Sequence, residues 1–147
     1  MSTQDPIVLI SAKRTAIGKF GGGLSALPAA DLGKLVIESL FEDSNNKADD
    51  VDEVIMGQVL SAAAGQNPAR QAAVNAGIPA DKTALTINQV CGSGVRSVAL
   101  GMQSIANNDA TVVIAGGQEN MSLAPHAQTL REGAKMGAVE LVDTMII

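Results

Sequence analysis

The chain has 147 residues, enough for one ordinary domain with a real core, and with only two Phe and no Trp or Tyr that core must consist of aliphatic side chains. A formal net charge of −5 gives no general attraction to nucleic acid or to anionic membranes. One cysteine excludes an internal disulfide and a multi-cysteine metal site. The N-terminus does not resemble a signal peptide and no apolar run reaches the length of a membrane span, so we expect a reducing cytoplasm.

Apolar runs and helical patterns alternate through the first part of the chain. Ile7–Ile10 is continuously apolar, which predicts a strand buried on both faces. A loop rich in Gly and basic residues follows from Lys13 to Leu27, and Pro28 can occupy the first turn of a helix that runs to about Glu42. A polar connector with a possible short helical turn then leads to a predicted second strand, Glu53–Gly57.

The same alternation continues further along the chain. Asn67 can cap a helix whose first position is Pro68 and which ends near Gly77. A strand, a helix and a fourth strand are then predicted at residues 83–90, 91–107 and 110–116, and the pattern becomes loop-rich after Asn120. The order β-α-β-α-β-α-β predicts an α/β layered fold with a mostly parallel central sheet.

Cys91 lies at the predicted turn from a strand into the N-terminus of an amphipathic helix. Unpaired backbone N–H groups and the positive end of the helix dipole stabilise a thiolate at such a position. Gly92 and Gly94 let backbone or substrate come close and permit a strained turn. An enzyme can present a cysteine nucleophile in this way. The alternative is a buried structural thiol, and spacing alone leaves both interpretations open.

The residues around Cys91, Asn88-Gln89-Val90-Cys91-Gly92-Ser93-Gly94, resemble the active-site signature of the thiolases. Further stretches agree with this family and follow its order along the chain. They are Ser11–Gly18, Gly57–Leu60, Gly65–Ala73, Ala115–Ser122 and Lys135–Gly137. The resemblance extends from about Ile7 to Met145 and is close to the acetyl-CoA acetyltransferase branch.

The resemblance implies a thiolase-like layered fold, of which this chain would hold the first half. Residues 1–120 would form the thiolase N-terminal domain, and 121–147 would be the truncated start of the loop region that follows. Because thiolases are considerably longer, we expect a fragment that is inactive alone. The complete enzyme would be a homo-oligomer, either a dimer or a tetramer.

For chemistry, the resemblance implies that Cys91 attacks the carbonyl of an acyl-CoA and that its backbone N–H helps to hold the oxyanion. The acyl-cysteine then reacts with a second acetyl-CoA to give acetoacetyl-CoA, or the reverse thiolysis occurs. Coenzyme A thioesters are substrates, and no cofactor or metal is expected. The activating histidine, the acid/base cysteine, the water-holding asparagine and most CoA contacts would lie beyond residue 147. Two alternatives are a 3-ketoacyl-CoA thiolase of fatty-acid β-oxidation and a non-catalytic truncated remnant.

The basic residues near the Gly-rich loop are weaker candidates for a site. Lys13, Arg14 and Lys19 could cradle a phosphate, but their spacing does not match a P-loop, so a solvated loop is the preferred interpretation. The lone His126 follows Ala124-Pro125, and a structural or solvated role is more typical of such a histidine.

Three polar residues are predicted to act structurally. Gly116-Gly117 should form a tight turn near the active site, with Glu119 and Asn120 holding loops. Arg70 is either a surface residue or a paired charge at a subunit interface, because the resemblance places this segment near such an interface.

Overall fold

The computed structural model describes residues 6–146 and contains a three-stranded parallel sheet with helices on both faces. The elements along the chain are α1 (Ala29–Asp43), β1 (Glu53–Gly57), α2 (Pro68–Asn75), β2 (Thr83–Ile87), α3 (Ser93–Ala106) and β3 (Val113–Gly117). The central strand β1 pairs in parallel with both β2 and β3. The predicted α/β class and parallel sheet are therefore confirmed.

Short elements complete the fold. Ala48–Asp50 and Met121–Leu123 form 3₁₀ helices, the first of them in the predicted polar connector. Two further strands, β4 (His126–Ala127) and β5 (Val142–Asp143), pair antiparallel in the loop-rich part of the chain. Across residues 6–146, no helix is both long and apolar enough to cross a membrane.

The main core lies between β1 and the helices α1 and α2. Val54 and Met56, alternate residues of β1, join Ile37 of α1 in one buried cluster, together with the alanines of α2, Ala69, Ala72 and Ala73. Alternate strand residues point to the same face of a sheet, so Ile55 and Gly57 belong to the opposite face, where α3 packs. Full burial of a side chain such as Ile37 or Val54 contributes about 1.5–3 kcal/mol.

Helix α3 contacts the sheet through its small residues. Ser93, Ser97 and Gly101 are spaced four apart and are the buried positions of the helix. The Ser97 hydroxyl Oγ donates to the carbonyl oxygen of Gly116 at 2.7 Å, which fastens the helix to β3. By contrast, Val95, Val98 and Met102 of the same helix are 79%, 41% and 52% exposed. Close backbone approach, and not bulk apolar packing, therefore sets the position of α3.

The predicted first strand, Ile7–Ile10, is wrong for this structure. These residues form no strand, and their side chains are between 43% and 84% exposed. Residues 7–10 and residues of β3 are among those that line one cavity of about 630 Å³. A strand needs a neighbouring strand to pair its N–H and C=O groups, and among the described residues none lies beside this segment.

Local signals predict the starts of α1 and α2 to within one residue. Pro28 is the N-cap of α1, one residue outside the predicted first turn, and α1 ends at Asp43. Asn67 caps α2 as predicted, because its side-chain oxygen accepts the N–H of Arg70 at 3.2 Å. Gly77 follows α2 with φ of +87°, a left-handed conformation that suits glycine at a helix end.

Strand β3 starts at Val113, later than the predicted Ala110, and Asp52 explains the difference. Its carboxylate accepts the backbone N–H groups of Thr111 and Val112 at 2.8 and 3.1 Å, so these residues bind a side chain and not a strand. These two hydrogen bonds, and then the nearby Lys82 ammonium, hold the pKa of Asp52 below its ordinary value of 3.8. Asp52 thereby ties the loop before β3 to the start of β1.

The substitution Asp52→Asn should lower stability near pH 7 by about 1 kcal/mol, because a charged acceptor is replaced by a neutral one at a partly exposed position. The folded pKa lies below the unfolded one, so this contribution is fully present above pH 3.8 and is lost as the pH falls through the folded pKa. The difference is measured by urea unfolding of the natural polypeptide and of its Asp52→Asn variant, from neutral to acid pH.

The matched control for this experiment is Asp109→Asn. The Asp109 side chain has no hydrogen bond to another described residue, so its replacement should change stability little at any pH. A stability difference for Asp52→Asn that stays constant from pH 7 to below pH 3.8 would contradict the assignment.

Candidate active site

Three loops meet at the carboxyl edge of the sheet, because parallel strands end on the same side. Residues 58–60 follow β1, 88–91 follow β2 and 118–120 follow β3. Cys91 lies among them as a free and exposed thiol between β2 and α3. The predicted position at a strand-to-helix turn is confirmed, and the exposed side chain does not fit the alternative of a buried structural thiol.

The turn that carries Cys91 is strained at Val90 and not at a glycine. Val90 has φ of +49°, whereas Gly92 has φ of −84° and Gly94 lies within α3. A left-handed conformation is rare for a β-branched residue and costs of the order of 1–3 kcal/mol. The predicted strain is therefore present, but it lies on the residue directly before the cysteine.

Hydrogen bonds surround this strained residue. The N–H of Val90 donates to the Asn88 side-chain oxygen Oδ1 at 2.9 Å. The Ser93 hydroxyl Oγ donates to the Val90 carbonyl at 2.7 Å and accepts the N–H of Gln89 at 2.8 Å. These contacts end β2 at Ile87 and delay α3 to Ser93, so both boundaries differ from the predicted residues 90 and 91.

Cys91 stands beside the open N-terminus of α3. The helix begins at Ser93 with Gly92 as N-cap, and no side chain caps it. Among residues 6–146, no hydrogen-bond acceptor is found for the backbone N–H of Cys91. Free N–H groups and the positive end of the helix dipole favour negative charge at this point. The geometry suits an oxyanion formed next to Cys91.

Gly57, the last residue of β1, lies directly beneath the first turn of α3. A Cβ atom at this position would be 2.5 Å from Ser93 Cβ and 2.8 Å from the Ser93 carbonyl carbon. Real Cβ atoms do not approach other atoms so closely, so a larger residue would force the helix start away from the sheet. A glycine here sets the height at which Cys91 stands above the sheet edge.

Glu119 and Asn120 hold loops, as the sequence predicted, whereas Gly116 and Gly117 end strand β3 and do not form the predicted tight turn. The Glu119 carboxylate oxygen Oε2 accepts the backbone N–H groups of Val59 and Leu60 at 2.7 and 3.2 Å. The two N–H groups of the Asn120 amide are shared among three carbonyl groups of the glycine-rich loop, those of Leu24, Ser25 and Leu27. The loop after β3 therefore fixes the loop after β1 and the glycine-rich loop.

Sequence reasoning missed a pair of buried glutamines below these loops. Gln58 and Gln118 are 3% and 6% exposed, and the Gln118 amide donates to Gln58 Oε1 at 3.0 Å. Gln58 in turn donates to the carbonyl of Leu60 at 2.9 Å. The available signal was the position of each glutamine directly after an apolar strand, where buried polar groups must find partners.

The structure does not assemble the basic residues near the N-terminus into a phosphate site. Lys13 forms an ion pair with Asp43, Arg14 donates to the adjacent carbonyl of Thr15, and Lys19 is exposed. The preferred interpretation, a solvated loop, fits this arrangement. Within the part of the chain that the structure covers, no group of three His, Cys, Asp or Glu side chains is arranged to hold a metal.

Arg70 and His126 also have local roles. The Arg70 guanidinium donates to the carbonyl groups of Ala80 and Lys82, so it braces the loop after α2. His126 is exposed on β4, where it pairs with Asp143 across the short ladder. An exposed position agrees with the predicted solvated histidine.

Comparison with known proteins gives the class of this chain. The family model "Thiolase, N-terminal domain" matches residues 7–147. The acetyl-CoA acetyltransferases of Cupriavidus necator and Rhizobium meliloti are each 56% identical to it, over 96% and 95% of this chain. The cytosolic acetyl-CoA acetyltransferase of Rattus norvegicus is 51% identical over 97% of it. In each case, the match covers 36% of the relative.

The chain therefore belongs to the thiolase family. It corresponds to the N-terminal domain, and its parallel sheet is the first half of the thiolase-like fold. It spans little more than a third of the length of the curated relatives it matches.

The substitution Gly57→Ala should lower the free energy of unfolding by about 1–3 kcal/mol, because the new methyl group would overlap Ser93 and lift the start of α3. Gly94→Ala is the matched control, since a Cβ at Gly94 meets no atom within 4 Å and alanine favours a helix by about 1 kcal/mol. Thermal unfolding of the natural polypeptide measures both. Equal stability of the two variants would contradict the close contact.

Proposed function

We propose that the natural polypeptide carrying this chain is an acetyl-CoA C-acetyltransferase. It condenses two molecules of acetyl-CoA to acetoacetyl-CoA, or catalyses the reverse thiolysis, through an acyl-cysteine at Cys91. Family membership and the names of relatives at 51–56% identity support this proposal. The observation that carries it is the exposed Cys91 thiol beside an uncapped helix N-terminus.

In the first half-reaction, the Cys91 thiol gives its proton to a base contributed from outside this chain, and its sulfur attacks the thioester carbonyl carbon of acetyl-CoA. Electrons move onto the carbonyl oxygen and return as the bond between the carbonyl carbon and the CoA sulfur breaks, so CoA leaves as a thiolate. The backbone N–H of Cys91 is the proposed donor to the transient oxyanion. A single donor of this kind is typically worth about 10²–10³-fold in rate.

In the second half-reaction, the methyl carbon of another acetyl-CoA loses a proton and attacks the acetyl group on Cys91. The Cys91 sulfur then leaves as a thiolate, and acetoacetyl-CoA is released. We propose that the groups that move this proton are contributed by residues outside this chain, as the resemblance to thiolases implies. Coenzyme A is a substrate throughout, and the proposal includes neither a cofactor nor a metal.

The acetyl group is preferred to a longer acyl chain because the matched relatives carry the name acetyl-CoA acetyltransferase. A 3-ketoacyl-CoA thiolase would use the same cysteine chemistry on a longer substrate. We also propose a cytoplasmic enzyme of lipid metabolism, and one rat relative is named as cytosolic. Exposed apolar residues such as Leu85 on the free edge of β2 and Met102 on α3 support assembly into a dimer or tetramer.

The substitution Cys91→Ala in the natural polypeptide should reduce acetoacetyl-CoA thiolysis by at least about 10³-fold, because no sulfur remains to accept the acyl group. Thiolysis is followed by loss of acetoacetyl-CoA in the presence of CoA. His126→Ala, which removes an exposed side chain of β4, should stay within about twofold of the parent rate.

The isolated 147-residue chain provides a second control. It should associate through its exposed apolar surface and show no thiolysis above background, because the proposed proton-transfer groups are absent from it. Undiminished thiolysis by Cys91→Ala would refute the role of Cys91. Robust thiolysis by a stable monomer of the isolated chain would refute the proposal that the proton-transfer groups are absent from it.

A further inference from the structure

Asn88 joins the turn before Cys91 to the loop after β1. Its side-chain oxygen Oδ1 accepts the N–H of Val90 at 2.9 Å, and its side-chain nitrogen Nδ2 donates to the carbonyl of Val59 at 3.3 Å. An N–H group only donates and a carbonyl only accepts, so these two partners fix the orientation of the amide. Asn88 therefore makes both contacts in a single arrangement.

The Val59 end of this bridge is itself held in place. The N–H of Val59 donates to the Glu119 oxygen Oε2 at 2.7 Å, and the same carboxylate binds Leu60. Glu119 is only partly exposed, and it belongs to the loop after β3. One chain of hydrogen bonds thus runs from Glu119 through Val59 and Asn88 to Val90, and it connects the loops after all three strands.

The end of this chain acts on the strained residue beside the thiol. A valine without external partners would leave the left-handed region at φ of +49° for an extended or helical conformation. Either change would rotate the following residue and redirect the Cα–Cβ bond of Cys91. Ser93 holds the carbonyl side of Val90, and Asn88 holds its N–H side.

We propose that Asn88 is a positioning residue for Cys91 and that Glu119 anchors it. The hydrogen-bond chain keeps Val90 left-handed and so directs the thiol toward the carbonyl carbon it attacks. That the thiol attacks a carbonyl carbon rests on the proposed acyl transfer. The direction in which the turn holds the thiol rests only on the geometry of the turn.

The first test compares single-turnover acylation of the natural polypeptide by acetoacetyl-CoA with that of Asn88→Ala. A misdirected nucleophile typically costs up to about 10²-fold, so acylation should slow by about 10- to 100-fold. Half-saturation by acetoacetyl-CoA should stay within about twofold, because Asn88 is assigned to the thiol and not to CoA. Asn67→Ala is the matched control, since Asn67 also makes one acceptor and one donor contact with backbone but lies at the start of α2. It should lower stability and leave acylation near the parent rate.

The second test is rescue by glycine. The double substitution Asn88→Ala with Val90→Gly should recover part of the lost acylation rate, because glycine adopts the left-handed conformation without steric cost. The double substitution Asn88→Ala with Glu119→Ala should acylate about as slowly as Asn88→Ala alone, since both residues act through one chain. Additive losses, or no recovery with glycine, would overturn the positioning role.

Alkylation separates this proposal from the proposed function. Iodoacetamide modification of Cys91, followed by mass spectrometry of the peptide that contains it, requires no acyl transfer. Asn88→Ala should change the alkylation rate of Cys91 severalfold in the folded polypeptide, and Asn67→Ala should not. If the parent protein forms no acyl-enzyme, the proposed function fails, and this comparison still decides the role of Asn88. Unchanged alkylation and unchanged acylation in Asn88→Ala would overturn it.

Discussion

The first turn of α3 rests on the last residue of β1, and the position of Cys91 depends on this contact. The absence of a side chain at Gly57 lets Ser93 approach the strand, and Ser97 then fastens the helix to β3 through the Gly116 carbonyl. Because this helix face consists of small residues, the distance between helix and sheet is set by backbone atoms and leaves little freedom. The free helix N-terminus is thereby held at the carboxyl edge of the sheet.

Strain and hydrogen bonding complete the site on that rigid base. Val90 holds an unfavourable conformation, and the side chains of Asn88 and Ser93 compensate for it by engaging the neighbouring polar groups. The buried glutamine pair and the Glu119 carboxylate connect the loop after β1 to the loop after β3. In the proposed reaction, a thiol supported in this way would reach the substrate with little reorganisation, which is how fixed geometry lowers a reaction barrier.

Features set by neighbouring residues could be predicted from the sequence, whereas features that depend on contacts between distant segments could not. Helix α2 was predictable because Asn67 and Pro68 mark its start, and the parallel sheet followed from the alternation of elements. The segment Ile7–Ile10 was predicted as a strand from its apolar side chains, but strand formation depends on a neighbour that no local pattern reveals. Similarly, the glycines near Cys91 indicated a strained turn. The strain itself lies on Val90, because the hydrogen bonds that hold this residue come from side chains elsewhere in the motif. The exposed cysteine at the strand-to-helix turn was predictable from a short motif; the contacts that hold its turn from across the sheet edge were not.

The role of Cys91 is tested by locating the acetyl group on the polypeptide. The natural polypeptide is incubated with acetyl-CoA, quenched in acid and digested, and the peptides are examined by mass spectrometry. One added acetyl group is expected on Cys91, and free CoA should remove it when the quench is delayed. An enzyme that turns over while Cys91 remains unmodified, or that carries the acetyl group on another residue, would contradict the role of Cys91.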